Sequence, residues 1–525
     1  MDLVKLGNLG ASGYYSPPTM NRPSYGDNAP IVALATPPGE SALALIRCSG
    51  AGTLELLAHA FSRPQNLRST PGNTILHGWI VDQEGEKIDD VLLSVYRAPR
   101  SYTGEEGADI SCHGGPATVK ATLETLETVG FRMALPGEFT FRAFMNGKLD
   151  LTRSESVMDL VAAKTDEGRR HALGRLQGQL AEEIGRIKDL LIRALAAAEL
   201  FLDYSEDDGV SGIASEALDD EAAGRMPDRT LVQSALAALE VLAAGYGVEK
   251  LYRDGALVAI AGPPNAGKSS LFNRLLKEER SIVTDIPGTT RDWIESWIAI
   301  KGIPIRLVDT AGLRTTDDPV EIIGVERSRS VLQDADLVVY VLDGEQGPGE
   351  EDLRYLAEAR AERRAGIDIQ PIVAWNKCDL GQPPINLEAL GLTGIIPVSA
   401  LTGAGIGELA DRIAGGLTAR AAGAAETVGT AGQGIGGPAP QAEGQGAPFK
   451  EGRSRPGVAS ERQKKCLDRA IQAVGEALSL ADRSMPLDLI APELREAVGA
   501  LGEITGEVST ADILEAMFSR FCVGK

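Results

Sequence analysis

Apolar positions along the chain fall into blocks of different period. From about 30 to 150 they form short runs. Ile31-Val-Ala-Leu-Ala-Thr36 and Ala42-Leu-Ala-Leu-Ile-Arg47 flank a Pro37-Pro-Gly turn, and Ile88-Asp-Asp-Val-Leu-Leu-Ser-Val-Tyr96 follows. Each run predicts a strand, whereas Val119, Leu123 and Leu126 within 116–129 keep helical spacing. The mixture predicts a small α+β domain. From Ser154 to Leu202 the period becomes that of long amphipathic helices, with Val157, Leu160 and Val161, then Leu173, Leu176 and Leu180, then Ile184, Ile187, Leu190 and Leu191 on one stripe. Helical spacing returns over 231–246, 461–481 and 488–501. Between those blocks, the apolar runs Ala256–Ala261, Leu337–Leu342 and Ile372–Trp375, with Ile305–Val308 interrupted by Arg306, read as buried strands of an α/β domain.

The predicted architecture is therefore multidomain. It comprises a disordered extension at 1–29, an α+β N-terminal domain at 30–150, and an all-α helical domain in two parts, 151–250 and 459–525. An inserted α/β P-loop domain occupies 251–419 and a flexible linker 420–458. Insertion of one domain into another is tolerated because domain termini tend to lie close together. The linker is almost entirely Gly, Ala, Pro, Gln, Thr and Glu, too poor in apolar surface to fold. Residues 205–208 and 218–221 form an acidic break expected to be solvated.

Composition narrows the function classes. Of the 525 residues 43% are hydrophobic and 24% charged, as in a globular protein, and the net charge of −22 argues against a generally basic nucleic-acid coat. Cys48, Cys112, Cys378, Cys466 and Cys522 are scattered without a C-x-x-C pair, which fits a reducing cytoplasmic setting. No apolar run is expected to span a membrane, and 1–29 lacks the apolar centre of a signal peptide.

The chemistry concentrates at Gly262-Pro-Pro-Asn265-Ala266-Gly267-Lys268-Ser269-Ser270, which follows the apolar run at 256–261 and precedes Leu271-Phe-Asn-Arg-Leu-Leu at helical spacing. Strand, G-x-x-x-x-G-K-S and helix make a P-loop: glycines let backbone N–H groups curl round phosphate, Lys268 reaches the β- and γ-phosphates, and Ser269 can hold Mg²⁺. Thr284-Asp285-Ile286-Pro287-Gly288-Thr289-Thr290 follows as a switch loop, and Asp309-Thr310-Ala311-Gly312 ends a strand with an Asp for water-bridged Mg²⁺ and a Gly for the γ-phosphate. Asn376-Lys377-Cys-Asp379 ends another strand. Its Asp can accept from N1 and the 2-amino group of guanine, so the nucleotide is GTP. Ser399-Ala400-Leu401 supplies the last base-side loop.

Leu313 stands where Ras-type enzymes carry a water-orienting Gln. Glu321, in the loop after Asp309-Thr-Ala-Gly, is the candidate replacement. Two roles fit Asn265: with backbone oxygens of the 284–289 loop it can hold a monovalent cation, or it caps the turn. Two further stretches, 101–115 and 136–150, are too polar and Gly-rich for ordinary core and read as binding loops. Within the first, His113 has no partner at catalytic spacing and reads as a structural hydrogen-bonder.

Pro136-Gly-Glu-Phe-Thr-Phe-Arg-Ala-Phe-Met-Asn-Gly-Lys-Leu-Asp150, Gly288-Thr-Thr-Arg-Asp292, Asp309-Thr-Ala-Gly-Leu-Arg314 and the terminal Phe521-Cys-Val-Gly-Lys525 together resemble the MnmE (TrmE) family of tRNA modification GTPases. The resemblance covers nearly all of 30–420 and 459–525. It implies an N-terminal tetrahydrofolate-binding, dimerising domain, a helical domain and an inserted GTPase domain. It implies a homodimer working with an MnmG (GidA)-like flavoprotein that carries FAD. The pair adds a carboxymethylaminomethyl or aminomethyl group to C5 of the wobble uridine of certain tRNAs, with the one-carbon unit drawn from a 5-formyl- or 5,10-methylene-tetrahydrofolate. It implies K⁺-stimulated hydrolysis on dimerisation of the GTPase domains. By position, K⁺ falls to Asn265, Thr284, Ile286 and Thr289, Mg²⁺ to Ser269 and Thr290, catalysis to Glu321, and folate to Arg47, Asp109, Lys148 and Lys525. The family usually has Glu where Asp109 stands. Cys522 is either a reactive thiol or a structural cysteine. The competing readings are an Era-like switch in ribosome assembly and a structural dimer with a vestigial GTPase. The acidic balance and the Cys-Val-Gly-Lys end oppose the first, and intact Lys268, Ser269, Thr290 and Asp309 the second.

Overall fold

The computed structural model describes residues 25–205, 228–281, 295–309, 332, 334–364, 371–381, 394–423 and 457–525. The chain divides into two compact units, the first comprising the N-terminal residues to Leu149 with Thr510–Lys525, the second Asp150–Ser509.

The first unit is built on β1 (Ile31–Leu34), β2 (Ser41–Ser49), β3 (Thr74–Val81), β4 (Lys87–Tyr96), β5 (Gly107–Gly114) and β6 (Arg132–Met133), in the order β3-β4-β5-β2-β1-β6. The β1–β6 pair is parallel and the other pairs are antiparallel. Helices α1 (Thr53–Ala58), α2 (Pro64–Ser69) and α3 (Pro116–Thr128) accompany the sheet, and the core joins Leu57, Leu67 and Leu126 to Ile46, Val91, Leu93 and Ile110. Two expectations are corrected here. The stretch 101–115 is not all loop, because Gly107–Gly114 is a strand whose Ala108, Ile110 and Cys112 point into the core while Asp109, Ser111 and His113 alternate outward. The stretch 136–150 contains α4 (Glu138–Met145), a helix that buries Glu138 and Arg142 as an ion pair. The extension expected at 1–29 also holds ordered residues at its end. The Tyr25 hydroxyl donates to Pro136 O at 2.7 Å, and Arg142 donates to Ala29 O at 2.8 Å.

The second unit opens with α5 (Leu151–Ala162), α6 (Asp166–Leu176), α7 (Gln179–Ser205) and α8 (Arg229–Asp254). Asp150 and Thr165 cap α5 and α6 by accepting from Arg153 N and Gly168 N. After Gly255 (φ 79°) the chain enters a second sheet: β7 (Ala256–Ala261), β8 (Arg280–Ser281), β9 (Glu295–Ile300), β10 (Ile303–Asp309), β11 (Leu337–Asp343), β12 (Ile372–Asn376) and β13 (Ile396–Pro397). Their order is β13-β12-β11-β7-β10-β9-β8, parallel from β13 to β10. Helices α9 (Lys268–Glu278), α10 (Glu350–Arg364) and α11 (Ile406–Gly423) belong to this sheet's layers. One face packs Val258, Ile260, Leu271, Ile305, Leu307 and Val339, the other Leu257, Ala259, Val338, Tyr340, Leu342 and Trp375. Burial on both faces is why β7 and residues 337–342 of β11 read as unbroken apolar runs, while the half-buried Arg306 interrupts β10.

The chain then returns to the bundle. Ser460 forms a capping box with Gln463 at the start of α12 (Glu461–Asp482), and α13 (Leu487–Thr505) follows. Leu180, Ile184 and Leu191 of α7 share a core with Leu239 of α8, Leu467 and Val474 of α12 and Leu494 of α13. Residues 420–423, at the start of the stretch expected as linker, continue α11, and Val458 at its end is buried in the bundle core; residues 424–456 lie outside the described residues. The last helix, α14 (Ala511–Phe518), packs within the first unit.

Contrary to the expectation of no membrane-length apolar segment, α8 is by length and composition apolar enough to cross a membrane. Alanine supplies much of that hydropathy, and Val232, Ala235, Leu239 and Leu242 pack in the bundle.

Candidate functional site

The P-loop leaves the fully buried β7 at Gly262. A Cβ there would lie 2.2 Å from Val341 O, and at Gly267 one would lie 2.2 Å from Asn376 Nδ2. Both glycines have positive φ, so the loop's path depends on them twice over. Asn265 is also left-handed (φ 63°), a conformation Asn tolerates, so the turn alone gives a reason for Asn at this position. Lys268 is buried and donates from Nζ to Pro263 O at 2.7 Å, which holds the ammonium inside the curl of the loop. Ser269 and Ser270 are exposed on the first turn of α9, while Ala266 is buried beneath the loop.

The base-side residues adjoin the loop. Asn376 is buried and uses both ends of its amide on backbone, Nδ2 donating to Ala266 O (2.8 Å) and Oδ1 accepting from Ala400 N (3.0 Å). It therefore clamps the P-loop to the Ser399-Ala400-Leu401 loop. That positioning role is one the sequence motif does not reveal. Lys377 donates to Asp343 Oδ2 at 2.7 Å. Burial alone would raise the Asp343 carboxyl. The Lys377 hydrogen bond and nearby backbone N–H donors outweigh that and hold it below its ordinary value. The same hydrogen bond raises Lys377. Asp379 is exposed just beyond β12, available to a ligand edge. Ser399 is buried and its hydroxyl accepts from Thr402 N at 3.1 Å, and Leu401 is 80% exposed. Asp309 ends β10, buried. Thr284, Asp285, Ile286, Pro287, Gly288, Thr289, Thr290, Thr310, Ala311, Gly312, Leu313 and Glu321 lie outside the described residues.

The first unit holds a separate cleft of about 370 Å³. At its floor Arg47 donates to Asp109 from Nε at 2.9 Å and from a terminal nitrogen at 3.3 Å. Burial would lower the Arg47 guanidinium, but the bond to Asp109 outweighs it and the net direction is up. Gly524 O accepts from Arg47 at 3.4 Å, and a Cβ at Gly524 would press on Ala35 at 2.9 Å. Tyr96, Tyr102 and Phe139 supply flat walls, with the guanidinium of Arg47 5.8 Å from the Tyr102 ring and 6.0 Å from the Phe139 ring. Cys48 also lines the floor, where burial, then the charge of Asp109, pushes its thiol well up, so it stays protonated. Of the four residues assigned by resemblance to folate, Arg47, Asp109 and Lys148 line the cleft. Lys525 is not among its lining residues, although its neighbour Gly524 holds Arg47. His113 instead pairs with Asp89, through Nδ1 at 2.6 Å and its backbone N at 2.7 Å.

Helix α4 fixes the cleft wall. The Tyr102 and Thr140 hydroxyls are 2.9 Å apart, Asn146 donates to Thr103 O at 2.8 Å, and Arg142 reaches Glu105 at 3.3 Å. Tyr96, Tyr102 and Phe139 were missed in the sequence. The period-two pattern of β5 would have exposed the outward face to which Arg47 and Asp109 belong.

Two family models match the chain: the MnmE helical domain over residues 151–522 and the GTP-binding protein TrmE N-terminus over residues 30–148. The chain is 39% identical over 508 residues to the tRNA modification GTPase MnmE of Treponema denticola, covering 96% of this chain and 99% of the relative. It is 40% identical over 496 residues to that of Aquifex aeolicus, covering 94% and 99%. Among solved structures, a variant of Aquifex aeolicus Era bound to GDP and aluminium fluoride is 32% identical, covering 30% of this chain and 55% of that one, with a TM-score of 0.24.

Proposed function

The chain belongs to the MnmE family of tRNA modification GTPases, and from that premise we propose that its GTP cycle drives aminomethyl or carboxymethylaminomethyl addition at C5 of wobble uridine with a one-carbon unit from tetrahydrofolate. The observation that carries this reading beyond a bare GTPase switch is the cleft of the first unit. It pairs a carboxylate with an arginine between aromatic walls, the chemistry that suits a flat 2-amino-4-oxo heterocycle with a donor edge. Asp109 would accept from that edge, and Arg47 would hold the carboxylate in plane. The shorter Asp, in place of the family's usual Glu, is supported here by its bidentate bond to Arg47.

At the nucleotide site Asp379 would accept from guanine N1 and the 2-amino group, with Asn376 keeping that loop and the P-loop in register. Lys268 would exchange Pro263 O for β- and γ-phosphate oxygens. The exposed Ser269 hydroxyl, on the helix turn that follows the loop holding Lys268, suits a phosphate-bound Mg²⁺; Ser269, Thr290 and Asp309 would hold the ion, which would neutralise charge on the phosphates. Glu321 would orient the attacking water. Asn265, Thr284, Ile286 and Thr289 would hold K⁺, supplying the positive charge an arginine finger supplies elsewhere. The protein would act as a cytoplasmic homodimer with an FAD-bearing MnmG-like partner and tRNA.

Two results test the parts. GTP hydrolysis by the full chain is expected to run about tenfold faster in K⁺ than in Na⁺ at equal ionic strength, and equal rates would remove the cation reading of Asn265. Asp109→Asn is expected to weaken 5-formyltetrahydrofolate binding tenfold or more, about 1.4 kcal/mol, by calorimetry. Undiminished affinity would move the folate elsewhere.

A further inference from the structure

The cleft grades from a buried floor to an exposed mouth. Cys48, Ser49, Thr103, Gly107 and Phe139 are buried, whereas Asn73, Arg100 and Lys148 are exposed. Charge is graded too. The floor's Asp109 is already matched by Arg47, which leaves Arg100 and Lys148 as the unmatched charges among the lining residues. A mouth carrying two cations and no carboxylate stands out on a chain of net charge −22.

The backbone keeps these cations together. Lys148 Nζ donates to Pro99 O at 3.1 Å, directly before Arg100, and Arg100 N donates to Arg97 O at 2.8 Å, closing the turn. The neighbouring Arg97 is committed to structure, donating to Thr70 O at 2.9 Å and pairing with Glu106 at 3.5 Å. Arg100 makes no ion pair among the described residues. Its guanidinium stands at the lip with its five donors directed to no carboxylate.

We propose that Arg100, with Lys148, is a binding site for the polyanionic tail of the cleft's ligand, so that the protein selects γ-glutamyl-extended tetrahydrofolates over the monoglutamate. The inference rests on the folate reading above and goes further, because that reading gives Arg100 no role and says nothing of the ligand's glutamate chain length. The heterocycle's donor edge suits Asp109, which turns the glutamate end outward to the lip. Each γ-linked glutamate adds one carboxylate there, and paired guanidinium and ammonium groups recognise carboxylates.

The test titrates the full-length protein with the monoglutamate and the triglutamate of 5-formyltetrahydrofolate, at low and high salt. The wild type is expected to bind the triglutamate about two- to fivefold more tightly at low salt, the range for exposed charge pairs, with the advantage shrinking as salt rises. Arg100→Ala should bring the ratio close to one and Arg100→Lys should keep part of it. A merely structural role for Arg100 would weaken both ligands alike and leave the ratio intact, which overturns the proposal. Equal binding of the two by the wild type also overturns it, while leaving the folate reading standing. Binding of neither form removes the folate reading and this inference with it.

Discussion

Gly267→Ala is expected to weaken GTP binding about a hundredfold or more, roughly 3 kcal/mol. The new methyl group would require a left-handed residue (φ 86°) to carry a Cβ, and would place it 2.2 Å from Asn376 Nδ2. The backbone strain alone costs about 1–2 kcal/mol. Asn376 cannot yield cheaply, because it is buried and bonded at both ends, to Ala266 O and Ala400 N. Moving it breaks a buried hydrogen bond, about 1–3 kcal/mol, and lets the phosphate loop drift from the guanine loop. A fluorescent guanine nucleotide titration checks this, with circular dichroism to show that the variant is folded. An affinity within threefold of the wild type would mean that the Asn376 clamp does not hold the site together.

Glu138→Ala is expected to destabilise the first unit by about 3–5 kcal/mol, the cost of leaving a buried charge without its partner. Glu138 is fully buried. It accepts from Arg132 at 2.6 and 3.0 Å, from Arg142 at 2.9 Å and from Leu135 N at 2.8 Å. Removing it takes from Arg142, which is 5% exposed, its closer carboxylate at 2.9 Å and leaves it Glu105 at 3.3 Å and Ala29 O. Hydrogen exchange on the full chain should show lost protection over α4 and β1, with Glu138→Gln intermediate because its amide keeps an acceptor. Unchanged protection in the alanine variant would contradict the central place given to this carboxylate. Because α4 also holds Tyr102 and Thr103, the same variant should loosen the cleft.

The parts legible in the sequence were those whose meaning is local. The P-loop is a single strand–loop–helix unit, so residues 256–275 carry both its chemistry and its geometry. The bundle helices were legible because their stripes repeat at 3.6 residues. The clamp formed by Asn376 was not, since its partners lie 110 and 24 residues away and are backbone atoms. Strand β5 was hidden because its inward residues are mostly small (Ala108, Cys112) and its outward ones polar, so it resembles a loop in composition. Helix α4 was hidden for the opposite reason: its buried face includes Glu138 and Arg142, which a hydrophobic pattern counts as exposed. The cleft's aromatic walls come from β4, the loop at Tyr102 and α4, elements that only the tertiary fold brings together.

Whether this GTPase serves wobble-uridine modification through a folate one-carbon unit, as proposed above, is decided by mass spectrometry of tRNA from cells lacking the gene, complemented with the wild type or with Asp109→Asn. The expected result is wobble uridine without the C5 substituent in the deletion, with the substituent restored by the wild type and poorly restored by the variant. Fully modified wobble uridine in the deletion strain would contradict it and turn attention to the ribosome-assembly alternative.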